Sequence, residues 1–460
     1  MAHKNKEKDL PPPPSLWATI GPSFILLGLA LGSGELILWP YLAAKWGLGL
    51  MWGAFLGITF QYILNTETMR YSLAWGESVF VGLRKLGRWI PLWFIISTFI
   101  PWALPGFSSA TAQILSRLFG FPNETLLAIF LLLLVGVVLT AGKVLYHTME
   151  VIQRSVILIG LPLIAFLVVV VTKRADWLEL GWGLLGQGAG WWFFPSGVSI
   201  AAFLGAFAYS GAGGNLNLAQ SYYIKEKGLG MGKYASKITS FFSKEQKQVR
   251  LEGETFPLTK ENRERWRQWW KLVNIEHFLV FWCLGFITII LLSILAKALV
   301  FGKIRAEGIE FVYQEAAATT AYLPSVFSFL FLLMAALMLY STQLGVLESS
   351  SRIISENILL LQRQTKQKVN ASLAFYLALW SQIGLGIIIL LAGVKEPRFL
   401  LTLGAILNAI AMTVAFPLVY LLNRKRLPSI LQPSLIRKIV MVTATAFFLI
   451  FTTLTFMAYF

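Results

Sequence analysis

Two stretches of this chain gather the residue types that could do chemistry. The first is GLALGSGEL, Gly28 to Leu36, where Gly32, Ser33, Gly34 and Glu35 interrupt an apolar run. The second is FAYSGAGGNLNLAQS, Phe207 to Ser221, where Gly211, Gly213 and Gly214 crowd between Ser210 and the pair Asn215 and Asn217. A carboxylate, two carboxamides and two hydroxyls make a donor set of oxygen alone, to which glycine-loosened backbone adds carbonyls. Oxygen ligands suit hard cations such as Mg²⁺, Mn²⁺ or Ca²⁺ better than Fe²⁺ or Zn²⁺. Glu35 and Asn215 are the expected metal ligands, with Gly32, Ser33, Ser210 and Asn217 completing the binding set. One carboxylate is a thin balance for a divalent ion, so a monovalent cation or a small organic solute also fits these residues.

The elements that must position these groups are membrane spans. The chain has 460 residues, 57% hydrophobic and 13% charged, with a mean hydropathy of +0.68. Apolar runs of about 20 residues, the length that crosses a hydrocarbon core, recur throughout. The runs predict eleven spans near 16–44, 49–72, 91–119, 124–142, 151–172, 196–224, 272–301, 322–350, 371–394, 399–423 and 437–460. The expected class is an all-α polytopic membrane protein with the lipid bilayer as its surroundings. The opening MAHKNKEKDLPPPP reads as a solvated tail over 1–15 and not as a cleavable signal. With that tail in the cytoplasm, most of the 39 Lys and Arg fall in cytoplasmic loops, as the positive-inside rule requires. The C-terminus is then extracytoplasmic. The net charge of +17 is thereby a topology signal, and no nucleic-acid partner is expected. A bacterial plasma membrane is the expected location. The single cysteine, Cys283, lies in an apolar run and can form no disulfide within the chain.

Spans 1 and 6, five apart, both carry glycine-rich polar centres. Paired interruptions at matching places in two halves point to an inverted-repeat transporter. Spans 1–5 (16–172) and spans 6–10 (196–423) are the expected repeats, joined by 173–195. A cytoplasmic loop over 225–271 lies within the second repeat, and 424–460 adds a connection and span 11. Backbone freed at such breaks cannot face lipid, but it can line an enclosed cavity. Substrate held there would move by alternating access.

Other charges sit inside spans. Glu67 and Arg70 are three residues apart, and Glu348 and Arg352 four apart, spacings that place each pair on one helix face. Structural pairing is the favoured reading, with Glu348 and Glu67 as gating or coupling candidates because intramembrane charges are costly. His147 and Glu150 lie near the start of span 5, where a lone exposed histidine reads as incidental. Pro101 and Pro105 should kink span 3. RERWRQWW, Arg263 to Trp270, reads as a helix anchored at the membrane interface by its tryptophans. No HExxH, GxSxG or phosphate-cradling motif occurs, and only three histidines exist, so neither an enzyme nor a bound cofactor is expected. A non-transporting membrane binding or scaffold protein is the remaining alternative.

GPSFILLGLALGSGELILWPYLAAKWGLGLMW, Gly21 to Trp52, resembles the first two helices of the Nramp family of proton-coupled divalent metal transporters. The spacing from Gly21-Pro22 to Gly32-Ser33-Gly34-Glu35 matches that family's spacing to its DPGN motif. AGKVLYHTMEVIQ (Ala141 to Gln153), YSTQLGVLESS (Tyr340 to Ser350) and AIAMTVAFPLVYLL (Ala409 to Leu422) are similar to its helices 5, 8 and 10. The resemblance implies the leucine-transporter fold, a divalent metal substrate and a coupling ion, proton or sodium. The chain departs from the pattern where the family binds its metal. Gly32 and Glu35 stand at the Asp and Asn of DPGN, and Tyr209 to Asn217 holds neither methionine nor histidine. The family's acidic positions on helix 3 fall on Leu104 and Phe107.

Overall fold

The computed structural model describes residues 7–141, 145–235, 251–303, 309–362 and 370–459. Among them, nine helices are long and apolar enough to cross a membrane: Leu48–Trp75, Ile90–Phe119, Glu124–Ala141, His147–Val171, Lys260–Val300, Ser325–Gln362, Ala371–Leu391, Pro397–Arg426 and Leu435–Ala458. These are spans 2–5 and 7–11. Pro22–Ala30 and Gly34–Trp46 form span 1, bent by 40° between its halves. The sixth expected span is not a continuous helix. It consists of two short helices, Ile200–Ala208 (6a) and Gln220–Lys227 (6b), on either side of a 3₁₀ turn, Gly214–Ala219. Among the described residues, nine spanning helices and one bent pair are therefore seen, and the sixth span is divided at its expected break. Large exposed apolar side chains such as Leu126, Val169, Ile388 and Val442 lie on the outer helices, the surface that lipid would cover.

Span 3 is also divided. Ile90–Trp102 and Gly106–Phe119 meet at Ala103–Pro105, where proline removes a backbone donor. The polar stretch before span 7 is helical from Lys260 and runs directly into that span. Its tryptophans pack on protein: Trp266 and Trp269 are buried. Trp269 Nε1 donates to the Pro11 carbonyl at 2.7 Å, and Arg265 Nη1 to that of Leu10 at 2.7 Å. The N-terminal tail is thus fastened along this helix.

The opposite end of the molecule carries Arg174–Leu184 and a small hairpin pairing Gln187–Gly188 with Trp191–Trp192. Lys297, at the end of span 7, holds that end by ion pairs to Asp176 (2.7 Å) and Glu179 (2.6 Å).

Candidate substrate site between spans 1 and 6

Span 6 breaks because its backbone must. Gly213 and Gly214 have φ of +77° and +53°, conformations that L-residues with a Cβ rarely adopt. Gly214 has a second reason: a Cβ there would sit 1.9 Å from Asn408 Oδ1 of span 10. The two lips of the break are held by one side chain from span 2. Gln61 Nε2 donates to the Ala208 carbonyl at 3.2 Å, while its Oε1 accepts from the Gly213 amide at 3.0 Å and from Asn217 Nδ2 at 3.1 Å. Asn215 reaches span 3, donating to Ser97 Oγ (2.8 Å) and Thr98 Oγ1 (2.9 Å). Tyr209 stacks on Trp102 with ring centroids 5.5 Å apart, and its hydroxyl accepts from Asn408 Nδ2 at 3.1 Å.

These bonds use the nitrogen of each asparagine and leave the oxygen. Asn215 Oδ1, Asn217 Oδ1 and Asn408 Oδ1 are sealed from solvent with no hydrogen-bond partner among the described residues. Buried polar atoms are nearly always satisfied, so three orphaned acceptors around one break call for a donor or a cation.

Span 1 solves the same problem differently. It does not unwind at Gly32 to Glu35, as the sequence led us to expect; it widens into a π-helix, Leu31–Leu38, a form that recurs at functional sites. Thr342 of span 8 stitches the widened turn, accepting from the Gly32 amide at 3.0 Å and donating to the Gly28 carbonyl at 2.9 Å. Gly34 brings the two spans into backbone contact: a Cβ there would lie 1.6 Å from the Tyr209 carbonyl oxygen. Glu35 turns the other way, towards span 7. A Cβ on Gly285 would be 3.5 Å from Glu35 Oε1, among the side chains of Leu27 and Ile58. Glu35 is fully buried and, among the described residues, neither of its oxygens has a hydrogen-bond partner.

The expected residues therefore divide. Asn215, Asn217, Gly213 and Gly214 share the break in span 6, and Gly34 touches it. Gly211 backs onto Gln61 and Phe281. Ser210 is a latch, accepting from Trp39 Nε1 at 2.9 Å and donating to the Ala206 carbonyl at 3.1 Å. No hydrogen bond joins Glu35 to either asparagine. The side chain of Ser33 lies outside the described residues. Among those residues, no three His, Cys, Asp or Glu cluster closely enough to hold a metal, so a cation here would rest on carboxamide and carbonyl oxygens with at most one carboxylate.

Glu67 and Glu348 lie away from the break, in charge networks. Glu67 takes a bidentate pair from Arg70 (2.8 and 3.1 Å) together with bonds from Arg437 Nη1 (3.1 Å) and Asn423 Nδ2 (3.0 Å). Arg352 pairs with both Glu348 and Glu226, and all three are buried. Tyr223 Oη, 2.5 Å from Ser349 Oγ, closes this cluster.

The sequence reading passed over Gln61, Asn408, Thr98 and the pair Glu276 and His277. Ser23 Oγ lies 2.5 Å from Glu276 Oε2 and 2.7 Å from His277 Nδ1, and the imidazole is stacked on Tyr62 and Phe281. A lone amide in an apolar run, as at Gln61 and Asn408, was the available signal.

Comparison with solved structures places this arrangement in a known fold. The chain superposes on a crystal structure of the manganese transporter of Eremococcus coleocola with a TM-score of 0.70 at 12% identity, covering 98% of this chain and 89% of that one. Mhp1, a nucleobase-cation-symport-1 family transporter with bromovinylhydantoin bound, matches with a TM-score of 0.57 at 13% identity over 95% of this chain and 92% of that one. MhsT in complex with L-phenylalanine gives 0.50 at 13% identity, over 95% and 98%. No family model matches the sequence, and neither does any curated protein. The fold is that of these transporters: an all-α membrane protein of inverted five-span repeats with interrupted spans 1 and 6.

Proposed function

We propose that this chain is a secondary transporter that moves a cation, foremost a divalent metal ion, by alternating access. The observation that carries this reading is the three orphaned amide oxygens on Asn215, Asn217 and Asn408 at the break in span 6, with span 1 pressed against it through Gly34. Hard oxygen donors without sulfur or imidazole select Mn²⁺, Mg²⁺ or Ca²⁺. Asn215 and Asn217 supply ligands. Glu35, an unpartnered carboxylate sealed from water, supplies the negative charge that a bound cation or a coupled proton would balance. Its turn towards span 7 favours reading it as the charge-balancing group beside the site, reaching the cation only when span 1 rotates. The buried Glu348–Arg352–Glu226 cluster, away from the break, is read as the gating element. The fold's manganese-transporting member supports the metal, and its hydantoin- and amino-acid-binding members support the second reading, a small organic solute.

Uptake into proteoliposomes, with Mn²⁺, Mg²⁺ and Ca²⁺ offered separately and internal pH recorded, tests the proposal. Saturable uptake of one of them that falls at least tenfold in Asn215→Ala is expected. Absence of any divalent uptake by folded protein would overturn the metal reading in favour of the solute.

A further inference from the structure

We propose that the molecule has a separate binding site for the phosphate headgroup of an anionic phospholipid, at the end of the molecule that carries the N-terminal tail. A cavity of about 270 Å³ opens there, lined by Arg70, Arg263, Arg267, Arg437, Trp266 and Trp270. Its walls come from three places in the chain. Arg263, Trp266, Arg267 and Trp270 follow one another at spacings of three, one and three along Lys260–His277, which puts them on one helix face. Arg70 comes from the end of span 2, and Arg437 from the first turn of span 11, Leu435–Tyr459. The guanidinium of Arg70 lies 3.7 Å from the centre of the Trp270 ring, and that of Arg437 5.0 Å from the same ring.

The charge there is not balanced. Glu67 already bridges Arg70 and Arg437, and Glu264 is 3.6 Å from Arg267 at the exposed rim. Four cations thus face two acids. Arg263 uses only its Nε, on the Leu258 carbonyl at 2.9 Å, so among the described residues its two terminal nitrogens have no protein acceptor. Ser434, also in the lining, opens span 11, whose N-terminal amides add positive potential. Planar guanidiniums in convergent positions are the groups that hold phosphate oxygens.

The rim selects a lipid over a soluble phosphate. Ile430, Leu435, Ile436 and Ile439 stand 46%, 71%, 75% and 56% exposed beside the opening. Such a run of bare apolar side chains next to a cationic cavity matches acyl chains below a headgroup. Anionic headgroups are drawn to basic surfaces at the membrane by about fivefold in affinity per Lys or Arg.

The test uses the full chain in phosphatidylcholine nanodiscs, titrated with phosphatidylglycerol, with retention of the lipid read by native mass spectrometry and unfolding by thermal melting. Wild type should retain phosphatidylglycerol over phosphatidylcholine. Arg263→Gln with Arg267→Gln, both exposed positions, should weaken that retention by about 30-fold at two arginines removed. Arg424→Gln with Arg426→Gln, exposed on the same side but outside the cavity, should leave it unchanged. Equal retention of the two lipids, or a lining variant indistinguishable from wild type, would overturn the proposal. Stabilisation by inorganic phosphate equal to that by the lipid would overturn the lipid assignment and make a soluble phosphate ester the occupant.

Discussion

The middle of this protein and its tail-bearing end handle buried polarity in opposite ways. At the end, four buried carboxylates have counter-charges: Glu348 and Glu226 share Arg352, Glu67 takes Arg70 and Arg437, and Glu77 pairs with Lys85 at 2.8 Å. In the middle, Glu35 and the oxygens of Asn215, Asn217 and Asn408 have no partner among the described residues. Satisfied charges tie span 2 to span 11 and helix 6b to span 8. Unsatisfied oxygens in a protein-lined interior await something that brings positive charge. The contrast teaches that, in this chain, intramembrane charge alone does not mark the site: the paired carboxylates lie away from the break, while Glu35 of span 1 stands without a counter-charge among the described residues.

The comparison can be broken most forcefully at the paired end. Arg352→Ala strands Glu348 and Glu226 and should cost about 3–5 kcal/mol, read as a large fall in melting temperature, whereas Glu226→Gln should cost much less. Equal losses would mean that the cluster is not the closing element. Next is the backbone contact between the two interrupted spans. Gly34→Ala drives a methyl into the Tyr209 carbonyl, and the expected loss is about 1–3 kcal/mol with uptake abolished. Wild-type uptake would show that the spans stand further apart. Gln61→Ala removes the clamp and leaves the Gly213 amide without its acceptor, an expected 1–3 kcal/mol by the cost of about that size for an orphaned buried group.

The unpaired middle should behave in reverse. Glu35→Gln replaces a carboxylate that no donor satisfies, so stability should hold or rise while cation uptake falls. A fall in stability comparable to that of Arg352→Ala would reveal a hidden partner. The smallest effect is expected at the far end. Burial pushes the Asp176 carboxyl up, but bonds from Lys297 and the Lys173 amide outweigh it and hold it below the usual carboxylate range. A depressed folded-state value gives stability above the unfolded value of about 3.9, lost as pH falls through the folded one. Asp176→Asn should therefore lower the melting temperature slightly at pH 7, and the gap to wild type should shrink below about pH 4.

Much of this was legible in the residues. Apolar runs near 20 residues marked the spans, and Pro101 with Pro105 marked the division of span 3. Gly213 and Gly214 foretold the break in span 6, because glycine is the residue that takes positive φ freely; Gly211, without positive φ, lets Gln61 and Phe281 approach. Gly32 and Gly34 carry the same letters but a different outcome. Neither has positive φ in the structure; they are small so that Thr342 and Tyr209 can approach, which depends on spans 8 and 6 and leaves no local trace. The facing of Glu35 was hidden for the same reason, since one residue of helical rotation decides between span 6 and span 7. Asn408 lay some 190 residues from the break it completes, and only the packing of span 10 brings its oxygen to Gly214.

The central claim is that a cation binds at the break in span 6, and equilibrium binding tests it without any assumption about transport. We would measure ⁵⁴Mn²⁺ binding to the purified full chain alongside Asn215→Ala, Asn408→Ala and Arg267→Gln. The account predicts saturable binding that is weakened at least tenfold in each asparagine variant and unchanged in Arg267→Gln. Binding that survives intact in both asparagine variants would contradict it.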